Sequence, residues 1–234
     1  MVANQLDLYR QVCIIANDNY DKLWLDRVAS GDPLMNQVSP IADGGGPPRK
    51  RDQLIETAWT LFYRDGYHAT GIDRILAESQ VAKMTLYHHF RSKEELILAV
   101  LEQRSRQTLD SLRQFLDAKN RPPEKRLEAV FDWLVAWIRS KRFRGCAFLK
   151  AMAEYQDLDD PIHRAALANK VALTAEIRRL AIAAGLQKPR NLSEQLSLLL
   201  EGAIVRSHAI GNVTPALRAR EAAKILIRAG RRSH

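Results

Sequence analysis

Three observations predict an all-α fold. Apolar residues recur at spacings of three and four along most of the chain after residue 49. Glycines and prolines stand between these stretches, where helices end and begin. No segment alternates apolar and polar residues as a half-buried strand would. With 234 residues, 46% of them hydrophobic, the chain is long enough for a real core.

Residues 39–48 read Ser-Pro-Ile-Ala-Asp-Gly-Gly-Gly-Pro-Pro, which continues neither a helix nor a strand and marks a linker. The segment before it has 3 basic against 6 acidic residues and too few apolar positions for its own core. Short helices are predicted there at about 6–16 and 22–29. Residues 1–48 are therefore an N-terminal extension for which a mobile and a docked state are both open, as is a role in binding partners or masking a surface.

The first helix after the linker follows from Leu54, Ala58, Leu61 and Phe62 and closes at Gly66. Ile72, Ile75 and Leu76 define a short second helix, and Leu86 with Phe90 a third. Ser92 and Glu95 fit a capping box, in which each side chain satisfies a free amide at a helix start, so a long fourth helix runs from there towards Leu116. Further helices are predicted near 124–140, 146–156, 161–184, 192–210 and 215–229.

A helix that reads DNA must be short, apolar towards its own domain and polar towards base edges and phosphates. Residues 82–90 have this character: Leu86 and Phe90 face inward, while Lys83, Thr85, Tyr87 and His88 project elsewhere. Lys93, at the start of the next helix, joins the free amides there as a phosphate anchor. Arg49, Lys50 and Arg51 precede the first helix, either as a basic arm following phosphates or as a solvated charge run. Net charge carries little of this reading. The total is +9, but residues 49–104 hold 9 basic against 8 acidic residues, and the excess lies in 105–234, with 24 against 13.

The stretch from Arg49 to Leu101 resembles the DNA-binding domain of the TetR family of bacterial transcriptional regulators. The resemblance rests on Leu61-Phe62, Gly66-Tyr67, the run Ala69 to Ile75, the run Val81 to Phe90, and Ser92 to Leu96. It implies a helix-turn-helix over about 71–89, with a second helix at 71–78 and a recognition helix at 82–88. Residues 49–95 would form the three-helix DNA-binding domain, and residues 96–234 a larger helical regulatory and dimerisation domain. The resemblance places phosphate contacts at Thr70, Tyr87, His88 and Lys93, with Gly71 at the same helix start; Lys83, Met84 and Thr85 are the base-edge candidates. Gln80 departs from the family, which commonly has glycine in this turn.

The implied partners are double-stranded DNA with a palindromic operator, a small-molecule effector and a second copy of the chain, paired through the last two helices. Two apolar stripes are assigned to that pairing: Leu192, Leu196, Leu199, Leu200, Ala203 and Ile204, and Ala216, Ala219, Ala222, Ala223 and Ile227. Trp133 and Trp137 lie one turn apart, as do Phe148 and Met152; with Cys146 they are candidates for an effector pocket, core packing being the other reading. Arg144 to Phe148 with Glu154 resembles a recurring subgroup pattern of the family.

No catalytic constellation, cofactor or metal site is expected. Cys13 and Cys146 are the only cysteines and form no metal-spaced set, and His88-His89 point about 100° apart on a helix. An oxidant-sensing role for Cys146 is an alternative mode of control, and an enzyme using its thiol lacks a base. The apolar runs are too short to span a membrane and the N-terminus does not read as a secretory signal, so a cytoplasmic protein is expected.

Overall fold

The computed structural model describes residues 49–117 and 121–231. The expectations for residues 1–48, including Cys13, lie outside the described residues. Among those described, every regular element is a helix: α1 (Lys50–Asp65), α2 (Ile72–Ser79), α3 (Lys83–His89), α4 (Lys93–Asp117), α5 (Pro123–Arg139), α6 (Ala147–Glu154), α7 (Pro161–Ala183), α8 (Pro189–Ile210) and α9 (Thr214–Ala229). The all-α prediction is met. None of these helices is long and apolar enough to cross a membrane.

Prolines set several helix starts. Pro123, Pro161, Pro189 and Pro215 occupy first-turn positions, where the missing N–H would have had no intrahelical partner. At α7 the Asp160 carboxylate also accepts from Ile162 N–H at 2.7 Å. Pro189 therefore opens α8 three residues before the predicted start at 192, because the spacing of leucines shows only the buried part of a helix.

The first three helices form one small core around Leu54, Ala58, Leu61, Phe62, Ile75 and Leu86, all fully buried. α1 also contacts α4, whose first turns add Leu96, Ile97 and Val100 to this core. α4 has 25 residues and is about 37 Å long, so it joins the small N-terminal unit to the helices beyond it. There α5, α7, α8 and α9 pack together around Leu127, Phe131, Leu134, Ile177, Leu180, Leu196 and Ile227.

Two expectations need correction. Leu192, Leu196, Leu200, Ala203 and Ile204 of α8 and Ala216, Ala219, Ala223 and Ile227 of α9 are buried within the subunit. Both helices spend their main apolar stripe on this core, α8 against α7 and α9, and α9 against α5. Lys50 and Arg51, expected just before the first helix, are its opening residues.

Candidate nucleic-acid interface

The turn between α2 and α3 fixes the angle at which α3 is presented. α2 ends at Gln80 with φ 54° and ψ 30°, a left-handed conformation that leaves Val81 to bury its side chain and Ala82 to start α3. Gln53 of α1 supports the turn, its amide donating to Ser79 O at 2.7 Å. A side chain in the left-handed region is strained relative to glycine. Gln80→Gly is therefore expected to raise the unfolding free energy by about 1 kcal/mol, measured by urea denaturation. A loss of stability would show that the glutamine side chain makes compensating contacts.

α3 has two faces. Leu86 is fully buried and Phe90, at its C-terminal end, is nearly so, which seats the helix on α1 and α2. Lys83, Met84, Tyr87 and His88 are exposed, with Met84 84% accessible, and Thr85 is half-buried. A methionine this exposed, between a lysine and a threonine on a seven-residue helix, contributes nothing to the subunit's own packing. Lys83 pairs loosely with Asp73 at 3.7 Å across the surface, a contact that solvent weakens and a phosphate would readily replace.

The start of α4 adds a second set of donors. Ser92 Oγ accepts from Glu95 N–H at 3.2 Å, and the Glu95 carboxylate accepts from Arg91 N–H at 2.6 Å, so the predicted capping box forms with its return bond one residue early. The Glu94 backbone amide and the Ser92 hydroxyl hold the Glu94 carboxyl below its ordinary pKa. Lys93 Nζ donates to His68 O at 3.2 Å, which turns the ammonium towards the loop before α2. Partial burial lowers its pKa, opposed by Glu94 and Glu154.

The predicted contacts are thus brought together on α3 and the starts of α2 and α4, with one exception. Thr70 is fully buried and its hydroxyl donates to Gly66 O at 2.8 Å, so its side chain secures the loop and offers phosphate nothing. Gly71, the exposed N-cap of α2, has no neighbouring atom within 4 Å of where a Cβ would stand, leaving its backbone open. The resemblance placed a phosphate contact at Thr70, whose side chain is turned away from the surface. Arg51 lies 5.3 Å from the Phe90 ring centre, so the first turn of α1 carries this cation beside the end of α3, and both Lys50 and Arg51 belong to the helix rather than to an arm.

The candidates beyond α4 are accounted for by packing. Trp133 and Trp137 stack at 6.1 Å, Trp137 meets Phe143 edge-on at 5.1 Å, and Trp133 Nε1 donates to Ser111 Oγ at 3.2 Å. Cys146 and Phe148 are buried and Met152 packs against the core. An open depression of about 500 Å³ on α4, lined by Asp110, Arg113, Gln114 and Asp117, includes none of these five. No group of three or more His, Cys, Asp or Glu among the described residues is arranged to hold a metal ion.

Comparison with known proteins agrees with this geometry. Residues 54–100 match the model described as bacterial regulatory proteins, tetR family, and residues 123–223 match the tetracyclin repressor-like C-terminal domain. A crystal structure of a TetR-family transcriptional regulator from Streptomyces coelicolor is 34% identical and superposes with a TM-score of 0.73, covering 77% of this chain and 95% of that one. Two proteins of Mycolicibacterium smegmatis match over shorter stretches. The HTH-type transcriptional activator FasR is 38% identical over 88 residues, 36% of this chain and 40% of FasR. The HTH-type transcriptional repressor KstR2 is 34% identical over 79 residues, 34% of this chain and 38% of KstR2. The chain belongs to the TetR family of transcriptional regulators and is a DNA-binding protein whose helix-turn-helix is formed by α2 and α3.

Proposed function

We propose that this protein is a dimeric, cytoplasmic repressor that occupies a palindromic operator and is released when a small molecule binds among its C-terminal helices. The observation that carries the DNA-reading role is the exposed row Lys83, Met84, Tyr87 and His88 on a helix anchored from behind by Leu86 and Phe90. Lys83, Met84 and Thr85, nearest the helix start, read base edges. Tyr87, His88, Lys93 and the amide end at Gly71 hold phosphates on either side.

Pairing uses the outer faces of α8 and α9, opposite the buried stripes. Leu198, Gly202, Val205 and Ala209 follow one another at helical spacing on α8, and all four are exposed. Ile225 and Ala229 do the same on α9, with Ile225 66% accessible and Ala222 half-buried beside them. Small residues between larger apolar ones allow close helix approach, and a two-fold axis makes the surface self-complementary. Two copies then present two recognition helices to an inverted repeat.

The effector site is assigned at the edge of the Trp133–Trp137 stack, leaving Cys146, Phe148 and Met152 to the packing described above. The half-buried Trp137 and Phe143 offer flat apolar surface to an aromatic or alicyclic molecule. Such a molecule releases DNA only if it binds the DNA-free arrangement more tightly than the bound one.

The phosphate role is tested by salt. Lys93→Ala is expected to weaken binding to every duplex alike and to reduce the slope of log affinity against log salt by about one, read by fluorescence anisotropy at several salt concentrations. An unchanged slope would remove Lys93 from the phosphate contacts.

A further inference from the structure

Residues Arg144 to Phe148 with Glu154 are used neither by the DNA-reading face nor by the recognition of a ligand's apolar surface. Their polar contacts converge on one short stretch of the N-terminal unit, the end of α1 and the loop that follows it. Tyr63 Oη donates to Gly145 O and accepts from Arg144 N–H, both at 2.8 Å. Tyr67 Oη donates to Ala147 O at 3.2 Å. Lys150 Nζ donates to Tyr63 O at 3.0 Å, placing a cation on a carbonyl of the last turn of α1, where the helix dipole favours it.

Glu154 completes the set from the last residue of α6. One carboxylate oxygen accepts from Tyr67 N–H at 2.9 Å and the other from His68 N–H at 2.6 Å. The His68 ring contacts Glu154 O at 3.0 Å and lies over Tyr155, with ring centres 4.6 Å apart. The approach depends on Gly66: at φ +97° it holds a backbone that L side chains rarely adopt, and a Cβ there would stand 3.0 Å from the carboxylate. The same loop is tied to the helix starts assigned to phosphate binding. Lys93 donates to His68 O, Thr70 to Gly66 O, and α2 begins at Ile72.

We propose that Glu154 is a positioning residue for DNA recognition, and that 144–155 form a clamp through which the C-terminal helices set the placement of Lys93 and the start of α2. The proposal rests on the DNA-binding reading above. It acts through the backbone of residues 66–68 rather than through contact with DNA. Removing the carboxylate leaves two amides without partners and frees the loop that Lys93 grips.

Full-length Glu154→Ala and Glu154→Gln are compared with wild type in two measurements. The first is amide hydrogen exchange at Tyr67 and His68. The second is affinity for a duplex that wild type binds, in backgrounds with Lys93 intact and with Lys93→Ala. Exchange at both amides is expected to rise at least tenfold in Glu154→Ala and less in Glu154→Gln, which keeps a single acceptor oxygen. Affinity should fall about tenfold in Glu154→Ala, and Lys93→Ala should then have less effect than in wild type, because both changes act on one loop. Unchanged exchange overturns the clamp. Faster exchange with unchanged affinity, or with strictly additive effects of the two substitutions, overturns the positioning role. If Glu154→Ala fails to fold, the Glu154→Gln results decide. Failure of wild type to bind any duplex would refute the DNA-binding reading instead, and the exchange rates would still judge the clamp.

Discussion

Leu198→Glu combined with Ile225→Glu is expected to give a folded monomer whose operator affinity is at least about 100-fold below that of the wild type. Leu198 is 71% exposed and Ile225 66% exposed in the subunit, so neither side chain supports the fold on its own. In a two-fold pair each position occurs twice, and each lost aliphatic contact is worth roughly 1.5–3 kcal/mol when fully buried. A carboxylate introduced there must also be desolvated against another apolar face. The second recognition helix is then no longer delivered at high local concentration, which accounts for the size of the affinity loss. Sedimentation velocity measures the assembly and anisotropy the affinity. A variant that stays dimeric would show that pairing uses another surface.

Leu86→Ala is expected to lower the unfolding free energy by about 2–5 kcal/mol, whereas Met84→Ala two positions away should leave it within about 0.5 kcal/mol of wild type. Leu86 is fully buried between α3 and the helices behind it, and truncation leaves a cavity in the small core of α1, α2 and α3. Met84 is 84% exposed and has nothing to lose in the free protein. The order should reverse in DNA recognition: Met84→Ala changes which sequences are preferred, while Leu86→Ala weakens binding to all of them by unseating the helix. Thermal unfolding and a panel of single-base operator variants separate the two effects. Equal stability losses at both positions would contradict the assigned faces of α3.

The reading helix was legible because its signals are local. Leu86 and Phe90 lie one turn apart, and Ser92 and Glu95 sit at capping-box spacing; each is visible within a few residues and each holds in the structure. Gln80 was legible as a departure from glycine, and its left-handed backbone shows that the turn keeps its geometry despite the side chain. Thr70 was expected to contact phosphate, but the sequence does not show whether a side chain near a helix start points to solvent or back to its own loop, and here the hydroxyl turns back. It bonds Gly66 O, four residues back.

The outer helices misled for a different reason. An apolar stripe states that one face is covered, not by what. On α8 the stronger stripe, Leu192 to Ile204, covers the subunit's own core, and the sparser row of Leu198 and Val205 is left outside. Glu154 was marked by the subgroup pattern, but its partners lay beyond any local signal. Its partners are 86 and 87 residues away in the chain, and only the packing of α6 against the end of α1 brings them together.

The measurement that bears most directly on the central claim is selection of bound duplexes from a random pool by the full-length protein at physiological salt. The account predicts enrichment of an inverted repeat whose half-sites are spaced to suit two recognition helices on one face of the duplex, with affinity that falls steeply as salt rises. Failure to enrich any duplex, or binding that does not respond to salt, would contradict it.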